Sequence, residues 1–227
     1  MRYRTPILLA LCFLSCAKAQ PDTTSFQSIF GERVLVFDEQ MDTDTMQVML
    51  DWVHKQQAGE EFTDQRYALL FKPGKYNLKV TVDYYVQALG LGRTPDQVVI
   101  KGAVQSNWSR ADNRVTTQFW RGAENFKVYS DTSAAWMLWA VSQAAPMRRM
   151  HIVGDVNFDK GSWASGGVLA NSIITGRAGL TSGQQWFTRN SEIGSWEGGN
   201  WNRVFVGVKG APEANWPEKP ITVIDSA

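Results

Sequence analysis

Glu192 and Glu197 lie five residues apart in a stretch rich in Gly, Ser and Trp, with His151 upstream. A glycosidase needs two carboxyl groups flanking one bond, roughly 5–9.5 Å apart, and this pair is the candidate. A β-elimination lyase needs instead a base such as Arg or Lys and positive charge for the substrate carboxylate. Arg121, Arg148, Arg149 and Arg189 supply that charge, while His151 is expected one or two coils from the glutamates in the same column. Substrate contacts are expected from Trp186, Trp196 and Trp201, with Arg121, Gln143 and Arg148 as polar partners. Flat indole faces beside small polar residues suit sugar rings, and Trp196 and Trp201 flank Glu197-Gly198-Gly199-Asn200. The competing reading is plain: large aromatics fill cores, and exposed arginines pair with neighbouring carboxylates.

Other chemistries find less support. The 227 residues contain two His and two Cys and no HExxH, so a zinc site is not expected. Asp155, Asn157 and Asp159 echo the start of a calcium loop but lack its Gly and terminal Glu, and they read as a turn. No G-x-S-x-G elbow accompanies His54 or His151. Gly90-Leu91-Gly92 lacks the last glycine of a dinucleotide loop, and no P-loop is present. No cofactor is expected. A formal charge of +1 argues against nucleic acid as a partner.

Residues 1–20 read as a secretory signal. Arg2 and Arg4 form the positive region, residues 7–14 the apolar one, and Ala17-Lys18-Ala19 the cleavage pattern. Cleavage removes both cysteines and three of the 23 basic residues but none of the 22 acidic ones. The exported chain is then slightly acidic and cysteine-free, and is expected outside the cell or in the periplasm. A second reading keeps Cys16 as a lipidated first residue. No stretch is long enough for a membrane span. Asn107-Trp108-Ser109 is a glycosylation sequon if the source is eukaryotic.

The elements that must position these residues are mostly short strands. Residues 33–37 form the first. A helix follows over about 42–58, with Met46, Met49, Leu50 and Val53 as its apolar stripe and Asp44 expected as its N-cap, Gln47 completing a capping box. His54 and Lys55 close it. Residues 67–71 form a strand before the turn Lys72-Pro73-Gly74, and short strands continue to about 210. Segments starting at Gln97, Asn125, Arg149, Asn171, Asn190 and Gly207 align, their starts 28, 24, 22, 19 and 17 residues apart. Recurrence near twenty residues, one strand per unit, suits a solenoid. Second and fourth positions (Phe126/Val128, Met150/Ile152, Ser172/Ile174, Ser191/Ile193) read as inward. First and third (Asn125/Lys127, Arg149/His151, Asn171/Ile173, Asn190/Glu192) read as outward, with the asparagines as a ladder at a bend. The expected fold is all-β: a single-stranded right-handed parallel β-helix whose N-terminal α-helix caps its open end. The expected organisation is a signal over 1–20 and one domain over 21–227.

Leu69-Leu70-Phe71-Lys72-Pro73-Gly74-Lys75-Tyr76 resembles the opening of secreted parallel β-helix proteins of the pectate-lyase-like superfamily. Trp139 to Arg149, Phe119-Trp120-Arg121, Ser165-Gly166-Gly167, Gln184-Gln185-Trp186, residues 204–208 and Gly210-Ala211-Pro212 resemble one subgroup, whose members carry the labels "coagulation factor 5/8 type" or "adenylyl cyclase". The resemblance covers residues 34 to about 220. It implies a β-helix and carries no catalytic residues across. Members of the subgroup continue past the Pro220 region, so the chain is expected to be a short form or a fragment. Two functions follow: a secreted polysaccharide-binding protein that cleaves glycosidic bonds as hydrolase or lyase, or a non-catalytic surface β-helix binding glycan or protein. Either is expected to act as a monomer.

Overall fold

The computed structural model describes residues 30–106, 115–130, 136–199, 201–214 and 220–226. The signal reading, both cysteines, the sequon, Asn200 and Trp216 lie outside the described residues.

Every strand pair is parallel, and the strands fall into two nine-stranded sheets. The chain winds through three faces per coil, making a β-solenoid of about six turns with one helix. Crossovers between parallel strands take the right hand. The first face stacks Val34–Phe37, Tyr67–Phe71, Val86–Gly90, Gly122–Glu124, Pro146–Arg148, Val168–Ala170, Trp186–Arg189, Arg203–Val206 and Ile221–Ile224. The second face includes Gly74–Tyr76, Lys127–Ser130 and His151–Val153, and the third Lys79–Thr81, Met137–Leu138 and Val156–Asn157. Val98–Gln105, Ile173–Leu180 and Glu192–Gly198 run round the bend between the second and third faces.

Strand parity assigns the core as the sequence leads one to expect. Phe126, Val128, Met150, Ile152, Ser172, Ile174, Ser191 and Ile193 are all buried. Lys127, His151, Ile173 and Glu192 form one outward column. Asn125, Arg149, Asn171 and Asn190 occupy the corner between first and second faces at positive φ (67°, 48°, 51° and 46°). Asn125 departs from expectation: it is buried, and its amide donates to the carbonyls of Gly90 (2.7 Å) and Gly92 (2.6 Å). The coil beneath it turns through a longer loop, whose free carbonyls need donors.

Helix α1 (Thr43–Gln57) buries Met46, Met49, Leu50 and Val53 in the same core. Its N-cap is Asp42, which accepts from the Thr45 amide (2.8 Å), and not Asp44. Gln47, expected in the capping box, serves the sheet instead. Its amide accepts from Lys79 N (2.9 Å) and donates to Lys79 O (3.1 Å), completing the edge of the first third-face strand. Glu39 accepts from Lys75 N (2.9 Å) at the edge of the second face. Side chains thus satisfy edge groups that would otherwise recruit another strand. No helix among the described residues is long and apolar enough to cross a membrane.

Parity also overturns two expected substrate contacts. Val86, Arg121, Ala145, Gly167, Trp186 and Arg203 share one inward column of the first face. Trp186 is buried against Phe158 (4.1 Å between centroids), and its indole N–H donates to Thr188 Oγ1 (3.1 Å). Gly167 leaves the room: a Cβ there would fall inside the indole ring. Arg121 is fully buried, donating to the carbonyls of Phe119 (3.1 Å) and Val82 (3.0 Å) and to Ser106 Oγ (3.1 Å). Burial lowers its pKa to about 10. Both side chains face the core, away from any substrate.

His54 does more than close the helix. Its Nδ1 lies 2.5 Å from Asp83 Oδ2, and that carboxylate is nearly buried. The bond to Asp83 raises the His54 pKa; Asp51 raises it further, while Lys79 and burial oppose. The folded state therefore holds this proton more tightly than the unfolded chain, whose His titrates near about 6.5. The resulting stability is complete below that pH and disappears as pH rises through the folded-state value. His54→Gln is expected to remove this component of the pH dependence of chemical denaturation, which the wild type shows as pH rises above about 6.5. Trp186→Ala is expected to cost about 3–5 kcal/mol in the same assay, the usual loss for a core aromatic.

Candidate functional site

The corner leading into the first face holds several non-glycine residues at positive φ. Tyr67 pairs with Val86, Gln87 with Gly122, Ala123 with Met147, Pro146 with Val168, Val168 with Phe187 and Trp186 with Arg203. These registers line up Arg66, Tyr85, Trp120, Ala144, Gly166, Gln185 and Asn202, one per coil. Tyr85 (φ 58°), Trp120 (52°) and Ala144 (55°) all sit in the left-handed region. Bulky residues rarely adopt it, and strain of this kind collects at functional sites. Coil-to-coil bonds hold it: Tyr67 N donates to Tyr85 O (3.0 Å), Tyr85 N to Trp120 O (2.6 Å) and Arg121 N to Ala144 O (3.2 Å).

The left-handed turn throws both aromatic side chains outward. Tyr85 and Trp120 stack with centroids 5.3 Å apart and planes 6° apart. The Arg66 guanidinium lies over the Tyr85 ring, 3.5 Å from its centroid. On the next two rungs the column holds only Ala144 and Gly166, so no side chain of the column covers the second face of Trp120, which is 38% exposed. Gln143 reaches across this space toward Gly166 and accepts from Ser165 Oγ (3.1 Å). Gln87 lies across Gly122 one coil earlier. Beside the stack opens a cavity of about 560 Å³, bordered by Arg33, Arg66, Tyr85, Gln87, Trp120 and Ala144. That is ordinary size for a small-molecule site. An open indole face with amides at its edge suits a sugar ring, whose faces are apolar and whose rim is hydroxylated.

The candidate catalytic residues do not gather at this corner; His151 and Glu192 share the outward column of the second face, two coils apart. Glu192 lies on the second face, paired with Lys209 (2.7 Å). Glu197 lies on the third, 3.6 Å from Arg177, which also holds Asp155 (2.7 Å) and stands over the Trp136 ring. The two glutamates share the extended strand Glu192–Gly198. That strand bends between the second and third faces, so the two carboxylates stand on different faces, each held by its own cation. His151 pairs with Asp96 (2.9 Å), as does Lys127 (2.9 Å). Arg149 donates to Arg93 O (2.8 Å). Residues 93–96 thus lie across the outward column of the second face and occupy both residues. Arg148 pairs with Glu124 (3.2 Å) on the first face, where it shares an outward column with the exposed Arg189.

Of the expected substrate platforms, Trp201 is exposed, while Trp196 packs half-buried on Phe158 and Phe205. Gln143 is the one expected substrate contact found at the aromatic corner. Asp159 is buried and accepts the amides of Gly161, Thr181 and Ser182, so the Asp155-Asn157-Asp159 run holds a turn and ties coils. Neither carboxylate spacing nor the tryptophans beside Glu197 point to Tyr85 and Trp120. The signal was a constant offset: each lies five residues before a first-face corner, as do Ala144, Gly166 and Gln185.

No family model matches the chain. In sequence it is 43% identical over 199 residues to an exo-beta-1,3-glucanase of Streptomyces sp. (strain SirexAA-E / ActE), a match covering 86% of this chain and 32% of that protein. In structure it resembles sacteLam55A from Streptomyces sp. SirexAA-E, with a TM-score of 0.81 and 42% identity over 87% of this chain and 36% of that one. A single-site alanine variant of sacteLam55A in complex with glucose gives a TM-score of 0.82, with the same identity and coverage. The chain spans about a third of the length of these relatives. Across nearly all of its own length it is a homologue of part of an exo-beta-1,3-glucanase with a β-solenoid fold, in keeping with the pectate-lyase-like β-helix resemblance.

Proposed function

We propose that this chain is the glucan-recognising β-helix of an exported glycoside hydrolase, and that it takes a β-1,3-linked glucan at the corner of Tyr85 and Trp120. One observation carries the reading. Two aromatic side chains are held outward at positive φ, and the column beyond them is cleared of side chains for two coils. Stacked rings settle 4.5–7 Å apart, and coils about 4.8 Å apart supply that spacing. A glucose ring seated over Ala144 would therefore continue the ladder that Arg66, Tyr85 and Trp120 begin. Gln87 and Gln143 stand where hydroxyls at the ring edge need partners. The choice of a β-1,3 linkage rests on the similarity to an exo-beta-1,3-glucanase.

Binding is the better-supported half of this function. Glu192 and Glu197 stand on different faces of the coil, each paired with a cation. The chain by itself is expected to bind glucan without releasing glucose, which favours the non-catalytic alternative for this segment. Glucose release lost on Glu192→Gln or Glu197→Gln would overturn that division.

Calorimetry with β-1,3-gluco-oligosaccharides tests the site. Trp120→Gly removes the indole and also relieves the left-handed strain, since glycine adopts positive φ freely. It is expected to weaken binding at least tenfold, about 1.4 kcal/mol, while the chain stays folded. Ala144→Phe, which fills the vacant rung, is expected to abolish binding. Full affinity in both variants would exclude this corner as the site.

A further inference from the structure

Phe62 is 86% exposed, the most exposed large hydrophobic side chain among the described residues. Its position is odd for its chemistry. Thr63 N donates to Glu60 O (3.4 Å), closing a turn with Glu61 and Phe62 at its tip. Such positions usually hold Gly, Asn, Asp, Ser or Pro, each for a backbone reason. A phenyl group serves none of those reasons. Single exposed apolar residues are common and need no explanation by themselves; what sets this one apart is how it is held.

Both residues beside it are tied to the aromatic corner. The Tyr85 hydroxyl donates to Glu61 O (2.8 Å). Arg66, stacked on the same Tyr85 ring, donates from Nη1 to Thr63 O (2.6 Å) and Gln65 O (2.9 Å). Phe62 is therefore clamped on either side by groups fixed to one ring of the stack. The loop is not a slack connection between helix and strand. These bonds tie the turn to the aromatic corner and leave the phenyl group in water.

Resting on the glucan reading above, we infer that Phe62 is a second, outlying platform, contacting sugar units beyond the one stacked on Trp120. It makes the site discriminate by chain length. A short saccharide fills the Trp120 rung and gains nothing from Phe62. A longer one extends along the corner toward the helix-capped end and lays a further ring on the phenyl face. The Arg66–Thr63 and Tyr85–Glu61 bonds keep the turn ordered before ligand arrives, which lowers the entropy lost on binding.

The test is calorimetry of the full chain with β-1,3-linked glucose oligomers of two to eight units, comparing wild type, Phe62→Ala and Phe62→Trp. Phe62 is 86% exposed, so both variants are expected to match the wild type in thermal unfolding. In the wild type, affinity should climb with length. In Phe62→Ala the two-unit ligand should bind as before, the longest should lose about five- to tenfold, and Phe62→Trp should restore it. Equal affinity of wild type and Phe62→Ala at every length overturns the inference and leaves the glucan reading standing. So does a loss of equal size at every length. If the wild type binds no oligomer of any length, the glucan reading fails and this inference falls with it.

Discussion

The parallel, in-register hydrogen-bond ladder between coils governs this molecule. Each strand of the first face is only three to five residues long, and none could hold its shape alone. Stacked at about 4.8 Å, they satisfy one another's backbone groups and force every residue to lie above a fixed counterpart in the next coil. Inward columns then close into a continuous core from Leu35 to Phe205. The ladder's weakness is its ends, where polar backbone groups have no next coil. At the N-terminal end that weakness is met in three ways: α1 covers the apolar bore, Gln47 imitates a strand edge for Lys79, and Glu39 takes the Lys75 amide.

Corners are where the ladder allows variety. A coil must bend sharply without breaking register, and a single left-handed residue achieves this. Between the first and second faces the bend falls on Asn125, Arg149, Asn171, Asn190 and Gly207, mostly residue types that tolerate such φ values. Entering the first face it falls on Tyr85, Trp120 and Ala144, which do not. The bonds that hold them come from neighbouring coils, so the strain is borne by the stack and not by the corner itself. In exchange, rings are presented to solvent at coil spacing with little rotational freedom. That arrangement suits the recognition of flat, neutral rings better than charge-based catalysis. It fits with Glu192, Glu197, His151 and Arg149 being engaged in contacts between coils.

Much of this was legible in the sequence, and the part that was not has a physical cause. The recurrence near twenty residues, the helix with Met46, Met49, Leu50 and Val53 inward, and the alternation of Phe126/Val128 through Ser191/Ile193 follow from side-chain period alone. Parity misled where it was not carried through. Trp186 and Arg121 stand four residues before a corner and point inward; Trp120 stands five before and points outward. One residue of register separates a core tryptophan from an exposed one, and composition is blind to that. Glu192 and Glu197 are near in sequence, but the bend in their strand sets them on different faces. In an extended strand, five residues carry the chain round a corner to a different face. Asp42 and Gln47 show the same limit: the capping signals were present, but the partners that Gln47 satisfies lie 32 residues away on Lys79.

The helix cap and the aromatic corner are one mechanical unit. Gln57, at the end of α1, donates to Tyr84 O (2.7 Å), and His54, one turn earlier, holds Asp83. The two residues before Tyr85 are therefore fixed to the helix. Tyr84 donates its hydroxyl to Thr117 O, and its ring lies 4.6 Å from the Arg121 guanidinium, so the same residue also braces the chain on both sides of Trp120. Arg121, lost to the substrate, recovers a purpose here: a buried cation between Val82, Ser106 and Phe119 locks the coil that presents the indole. A left-handed tyrosine and a left-handed tryptophan stay stacked only if both approaches are pinned. The residues that pin them come from α1 and from the inward columns. The cap and the corner thus share Asp83 and Tyr84 as common anchors.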